Sequence, residues 1–478
     1  MSIFSLQAYT ALRLLGTQPN EHRPTKRALD AGDSAAFSSI FLASSFFCSQ
    51  AESTPVPAPV TRAVGHVKAL RINAKMNSLT AVQMLTPTKF SPFLAILTIT
   101  LLVTGCGSQT SALPTITPIT PTTTTLPSSA PTPTQTTEAQ LASQIDTFLT
   151  DLTERDRFSG SILVAIDGNL VISQGYGMAN SELDVLNTPR TKFMMGSVTK
   201  QFTAMAILQL QQQGKLSLRD PICRYIRDCP EAWQPITFHH LLTHTSGIPD
   251  YIDNNFEILK NQSLSPIKLI DTFRNRPLDF TPGERWLYSN SGYVVLGYII
   301  EQVSGQPWAL FLQKNIFEPL QMADTGYDTL HTIIKNRADG YFSATTNAEY
   351  IDPSVMYAAG GLYSTVEDLF RWEQALDGDQ LISQPLRDEM FIPFAPIPPA
   401  SDIRLTADVT DASYGYGWFI GQRLNRQWEA HTGHSYGFSS VIERYPDEKL
   451  VIIVLSNREA RPLVDITSEI ARMIFGEK

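Results

Sequence analysis

The hydrophobic pattern changes period along the chain. Ser161-Ile-Leu-Val-Ala-Ile166 is a continuous apolar run, Asp167-Gly168-Asn169 is a turn signal, and Leu170-Val-Ile-Ser-Gln174 returns as a second strand. Phe438 to Tyr445 and Leu450 to Leu455 repeat the arrangement near the other end, with Pro446-Asp447-Glu448-Lys449 turning between them. Tyr416 to Ile420 and Gln427-Trp428 read as a further strand pair, and 462–475 as a closing helix. Between these ends, about 198–380 is mostly helical in its spacing, with long loops. Hairpins on both sides predict one antiparallel sheet assembled from the two termini and flanked by helices. A mostly helical region is inserted, giving an α/β (α+β) fold.

The N-terminal part follows no such period. Residues 1–75 carry Pro and Ser clusters and scattered Arg. Lys89 precedes an apolar run, Phe90 to Val103, of 14 residues. That is short of the ~20 needed to span a membrane and suits the core of a signal peptide. Val103-Thr104-Gly105-Cys106 follows directly. This ending resembles the lipobox of bacterial lipoproteins, which implies cleavage before Cys106 and a lipid on its thiol. The position predicts a true start at Met76 or Met84, a signal peptide over 76–106, and an extension, 1–75, outside the mature product. Residues 107–137 hold 12 Thr, 6 Pro and 4 Ser and no charged residue, a composition that cannot offset its chain entropy by burial. We read it as an extended tether. The folded domain is then 138–478, roughly 340 residues and ample for a core.

Composition narrows the function. Of 478 residues, 43% are apolar and 17% charged, and 46 Asp and Glu exceed 37 Lys and Arg for a net charge of −9. No basic block stands out, which argues against a nucleic-acid partner. Four cysteines are too few for a disulfide scaffold.

Three short boxes carry candidate chemistry. Ser197-Val198-Thr199-Lys200 opens an apolar helical run containing Phe202, Met205, Leu208 and Leu210, so Ser197 and Lys200 share a helix face. A serine hydroxyl needs a base, and a lysine amine serves as one when desolvation lowers its pKa. Alone, the box also reads as an ordinary helix start. Tyr288-Ser289-Asn290 is the second box: a buried tyrosine near cations can approach phenolate and move protons, while the Asn amide can hold a lysine or a substrate carbonyl. Alone, this box also reads as a packed loop tyrosine with an Asn turn, the more common case. His431-Thr432-Gly433 is the third. There Thr432 can bond a substrate carboxylate, His431 can add charge and Gly433 can let substrate backbone lie close, the alternative being a strand-end His with an ordinary turn.

In this order, the three boxes resemble the serine β-lactamase and penicillin-binding superfamily, in the branch with class C β-lactamases and D-alanyl-D-alanine carboxypeptidases. The resemblance covers about 145–475 and includes His240-Leu-Leu-Thr-His244-Thr-Ser-Gly247, Phe280-Thr-Pro-Gly283, Gly297 to Gly305 and Ala359-Gly360-Gly361 with Ser364-Thr365. It implies that Ser197 forms an acyl-enzyme, that Lys200 and Tyr288 share the proton work, and that Asn290 positions substrate. It also implies an oxyanion hole from the backbone N–H groups of Ser197 and His434, carboxylate recognition by Thr432 and His431, and no metal or cofactor. His431 departs from the Lys usual in class C β-lactamases, and would carry partial charge near pH 7.

His239, His240 and His244 lack an acidic partner at metal-binding spacing. Cys223 and Cys229 flank Arg224 to Asp228, and in an exported domain are expected to close a small disulfide loop, the alternative being two packed thiols. The sequence therefore predicts an extracytoplasmic serine hydrolase, lipid-anchored to a bacterial membrane. Its substrate is a small molecule or peptide (peptidoglycan-like, β-lactam or ester). The first expectation is a carboxypeptidase-like peptidase or esterase. The alternatives are a class C-type β-lactamase and a penicillin- or peptidoglycan-binding sensor that acylates with little turnover.

Overall fold

Asp167 and Gly168 both take positive φ (49° and 76°), the two-residue loop whose twist matches that of paired strands. It joins β1 (Gly160–Ile166) to β2 (Asn169–Tyr176). In the computed structural model the described residues are 137–252, 256–399, 401, 408–459 and 463–477, all within one unit, Pro121–Lys478. The signal segment 76–106 with Cys106, the stretch 1–75 and the tether 107–136 lie outside them.

The remaining strands of the main sheet are β3 (Ala395–Pro396), β4 (Val409–Tyr414), β5 (Phe419–Arg423), β6 (Arg426–Ser435), β7 (Phe438–Tyr445) and β8 (Leu450–Ser456). Their order is β3-β4-β5-β6-β7-β8-β1-β2. The two ends of the domain meet mid-sheet, where β1 pairs antiparallel with β8 from Gly160↔Ser456 to Ile166↔Leu450. This is the antiparallel sheet built from both termini that the sequence predicts.

Alternation along β1 and β8 divides the core. Ile162, Val164, Ile452 and Val454 pack under two terminal helices, α1 (Glu138–Glu154) and α6 (Leu463–Phe475), through Ile145, Leu149, Ile466 and Ile470. Leu163, Ile453 and Leu455 face the other way, into the inserted region. There lie α2 (Thr199–Gln212), α3 (Asn290–Ser304), α4 (Pro353–Gly360) and α5 (Val366–Ala375). Gly297 of α3 lets α4 approach so closely that a Cβ would stand 2.3 Å from the Ala358 methyl.

Three local expectations change. The strand expected from Tyr416 begins at Phe419, because Gly417 turns the chain at φ 82°. The His431 box lies inside β6, not at a turn. The helical region also contains a small sheet of Phe193–Met194, Leu362–Ser364 and Gly326–Tyr327.

Candidate active site

A one-turn 3-10 helix, Gly196–Val198, leads into α2 and carries Ser197. It rests on the face of β6 and β7. The Met195 carbonyl accepts from Ser440 Oγ at 2.6 Å, and a Cβ on Gly433 would lie 1.9 Å from that same oxygen. Gly433 therefore makes room for the protein's own backbone beneath Ser197, where the sequence had suggested room for substrate. A Cβ on Gly196, at φ 52°, would lie 2.5 Å from the His434 carbonyl oxygen and 2.6 Å from its amide nitrogen. The amides of Ser197 and His434 thus flank one small region.

Lys200 is fully buried one helical turn after Ser197. Its Nζ donates to Asn290 Oδ1 and to the Ala359 carbonyl, both at 2.8 Å, and lies 3.1 Å from Ser197 Oγ. Asn290 is oriented by donating through Nδ2 to Asp250 Oδ2 at 2.8 Å, so its oxygen faces the lysine. Ala359 follows Tyr357, which breaks α4 with φ 37° and ψ −131°. The neighbouring Ala358 carbonyl is tied to Thr203 of α2 at 2.8 Å. Burial brings the Lys200 pKa down to about 7, against a smaller upward pull from Asp250. The neutral amine has two N–H groups. Two of its neighbours, a carbonyl and an oriented amide oxygen, can only accept. The lone pair is left for the Ser197 hydroxyl.

Tyr288 lines the cleft together with Ser197, and its ring lies 4.9 Å from Lys200 Nζ. Burial raises its phenol above the ordinary value, outweighing the opposing influence of the Ser197 hydroxyl. The phenolate-like tyrosine expected from the sequence is therefore replaced by a protonated one, because lost hydration penalises the anion. The second box is clamped from the side: Ser289 N donates to His244 Nδ1 at 3.1 Å, Ser289 Oγ to Ile248 O and Ser291 Oγ to Pro249 O, both at 2.8 Å. His244 stacks on Tyr288 with centroids 4.2 Å apart. His239 contacts Tyr416 Oη through Nδ1 at 2.9 Å, and His240 Nδ1 accepts from Thr237 N at 3.3 Å. This histidine run thus serves loop and cap geometry.

His431 also differs from its expected character. It is buried, with Nε2 2.8 Å from Tyr414 Oη and Nδ1 2.6 Å from the Thr432 carbonyl. Phe419 packs at 4.8 Å. Burial, reinforced by Lys200, lowers its pKa to about 3, so the ring is neutral at pH 7 and supplies no charge. Thr432 lines the cleft above Ser197, a space of about 360 Å³ bounded also by Tyr288, Asn290 and His434. Cys223 and Cys229 are joined by a disulfide, as the exported-domain reading expects. Asp250, Ala359, His244 and Tyr414 were not singled out as site residues from sequence. The signals nearest them are the His244-Thr-Ser-Gly247 and Ala359-Gly-Gly361 stretches.

Residues 140–472 match the beta-lactamase family. The chain belongs to it. This beta-lactamase-family domain is 32% identical to penicillin-binding protein 4* of Bacillus subtilis over 66% of this chain and 71% of that one. It is 27% identical to the teichoic acid D-alanine hydrolase of Staphylococcus aureus (strain MRSA252), over 66% of this chain and 73% of the relative. Among solved structures, the octameric penicillin-binding protein homologue from Pyrococcus abyssi superposes with a TM-score of 0.61 at 28% identity, covering 70% of this chain and 78% of that one. The family member described here is a serine hydrolase with the β-lactamase/transpeptidase fold.

Proposed function

We propose that this chain hydrolyses an amide or ester through an acyl-Ser197 intermediate, in the manner of the D-alanyl carboxypeptidase branch and of D-alanyl ester hydrolases. The carrying observation is the hydrogen-bond set of Lys200, which leaves a neutral amine only Ser197 to accept from. Lys200 takes the Ser197 proton as Oγ attacks the carbonyl. The amides of Ser197 and His434 receive the oxyanion, a contribution of about 2.7–4 kcal/mol per donor in other acyl transferases. Tyr288, held protonated, donates to the leaving group and is recharged through Lys200. A water then attacks the ester, its proton passing back along the same pair as Ser197 leaves. Asn290 and Thr432 hold the substrate. The kinship with the Staphylococcus aureus teichoic acid D-alanine hydrolase supports a D-alanyl substrate. The neutral His431 offers a substrate carboxylate no cation from that side, which favours D-alanyl esters and amides over substrates with a carboxylate beside the scissile bond, β-lactams and D-alanyl-D-alanine peptides alike. By its lipobox pattern the domain works outside the cytoplasm, tethered through Cys106.

The test is a time course of intact mass with excess penicillin, and then with D-alanyl esters and amides, Ser197→Ala alongside. Turnover of D-alanyl substrates with a penicillin adduct that persists on Ser197 fits the proposal. Rapid hydrolysis of penicillin makes the chain a β-lactamase instead. Activity that survives Ser197→Ala overturns the mechanism.

A further inference from the structure

The cleft has a second end. From His431 onward β6 loses its β5 partner, since that ladder stops at Phe419↔Ala430. The space runs along this free stretch from Thr432 through Ser435 to Tyr436 and Glu459. Glu459 is the formal charge among the described residues that line it, as His431 is neutral and desolvation lowers His434 as well. One oxygen of Glu459 accepts from Gly437 N at 3.2 Å. Among the described residues no cation pairs with it. The adjacent Arg458 turns away to Asp156 at 3.0 Å and lies over the Tyr341 ring. Lys260, 5.0 Å from the Tyr436 ring, is already shared by Glu257 and Glu349. The far end is thus acidic, and the cation beside the Tyr436 ring is spent.

We infer that the cleft selects acyl groups bearing a primary amine, read by Glu459 at the end away from Ser197. This rests on the acyl-hydrolase reading above. An extended substrate lying along the free edge of β6 spans two to three residues between the turn of Ser197 and the Gly437 hairpin, so the amine sits ~7–10 Å from the scissile carbonyl. An ω-amino acyl chain or a short peptide with a lysine-like side chain meets that requirement. The α-amine of a bare D-alanyl ester lies too near the carbonyl to reach Glu459, so such an ester is cleaved without this added selection.

The experiment follows labelling of Ser197 by a neutral fluorophosphonate, read by intact mass on the full chain. Two competitors are compared, an acyl-D-alanine ligand with a free 6-aminohexanoyl group and its N-acetylated twin. The amine should inhibit labelling about tenfold more strongly in wild type, the gap shrinking with added salt. In Glu459→Gln, which still accepts from Gly437, the ratio should fall toward one. In Glu459→Lys a succinylated twin should become the best competitor. Equal inhibition by both wild-type ligands, or a ratio unchanged in Glu459→Gln, overturns the inference while leaving Ser197 chemistry intact. A chain that takes no label at Ser197 overturns both.

Discussion

Lys200 makes acylation a pH-dependent event with a calculable limb. Its amine titrates at about 7 instead of 10.5, a displacement on the order of 5 kcal/mol. At pH 7 about half of it is neutral and able to take the Ser197 proton, and at pH 5 about one per cent. The second-order rate of Ser197 labelling by an uncharged fluorophosphonate should therefore rise about fiftyfold between pH 5 and 7, then about twofold to a plateau. Tyr288 stays protonated across this range and adds no limb, and His431 titrates far below it. Asp250 provides the control, since its charge holds the Lys200 pKa up. Asp250→Asn should slide the limb to lower pH, with folding checked by thermal melting. Stability carries the opposite signature of the same burial. Between pH 7 and 10.5 the unfolded chain holds a proton that the folded chain does not, so Lys200 makes stability rise with pH across that window. A labelling rate flat from pH 5 to 8, or a limb that moves upward in Asp250→Asn, refutes Lys200 as the base.

Other consequences follow from particular contacts. Gly433→Ala places a Cβ against the Met195 carbonyl and Ser440 Oγ, so the Ser197 turn must lift off β6; penicillin or fluorophosphonate labelling should fall by orders of magnitude and the melting temperature should drop. Tyr414→Phe leaves His431 Nε2 without its partner, which costs about 1–3 kcal/mol and should lower the denaturant midpoint; an unchanged midpoint would refute the role given to Tyr414. Burial raises Glu373 to about 8, so its contribution to stability is full below its ordinary 4.5 and is lost as pH rises through about 8. Glu373→Gln should accordingly melt above wild type at pH 9, with the gap closing toward pH 6.

The sequence made the skeleton of the site readable because its parts are local. Ser197 and Lys200 stand one turn apart on an apolar helix, and Tyr288 and Asn290 two residues apart at the start of another. The hairpins of β1–β2 and β7–β8 announce themselves through Asp167-Gly168 and Pro446 to Lys449. What escaped is what the fold brings from elsewhere. Tyr288 stays a phenol and His431 neutral because Tyr414, Phe419 and His244 pack around them, Tyr414 and Phe419 from one β4–β5 hairpin and His244 from a segment far earlier in the chain. Asp250 acts on Lys200 through its charge and by orienting Asn290, relations that no spacing reveals. β3 is two residues long and contains proline, too little for any period to register.

The sheet has an implication for how the domain comes into being. Ser456 Oγ donates to the Ser159 carbonyl at 2.8 Å across a sequence separation of 297, and the strands on either side of that seam are the second-last element of the chain and the first strand. Such distant pairing is entropically costly to close and slow to form. As the ribosome works, β1 has no β8 to pair with until nearly the whole domain has been synthesised, so closure of the main sheet waits on the last strand. A premature stop before β8 removes the central partner rather than a dispensable tail.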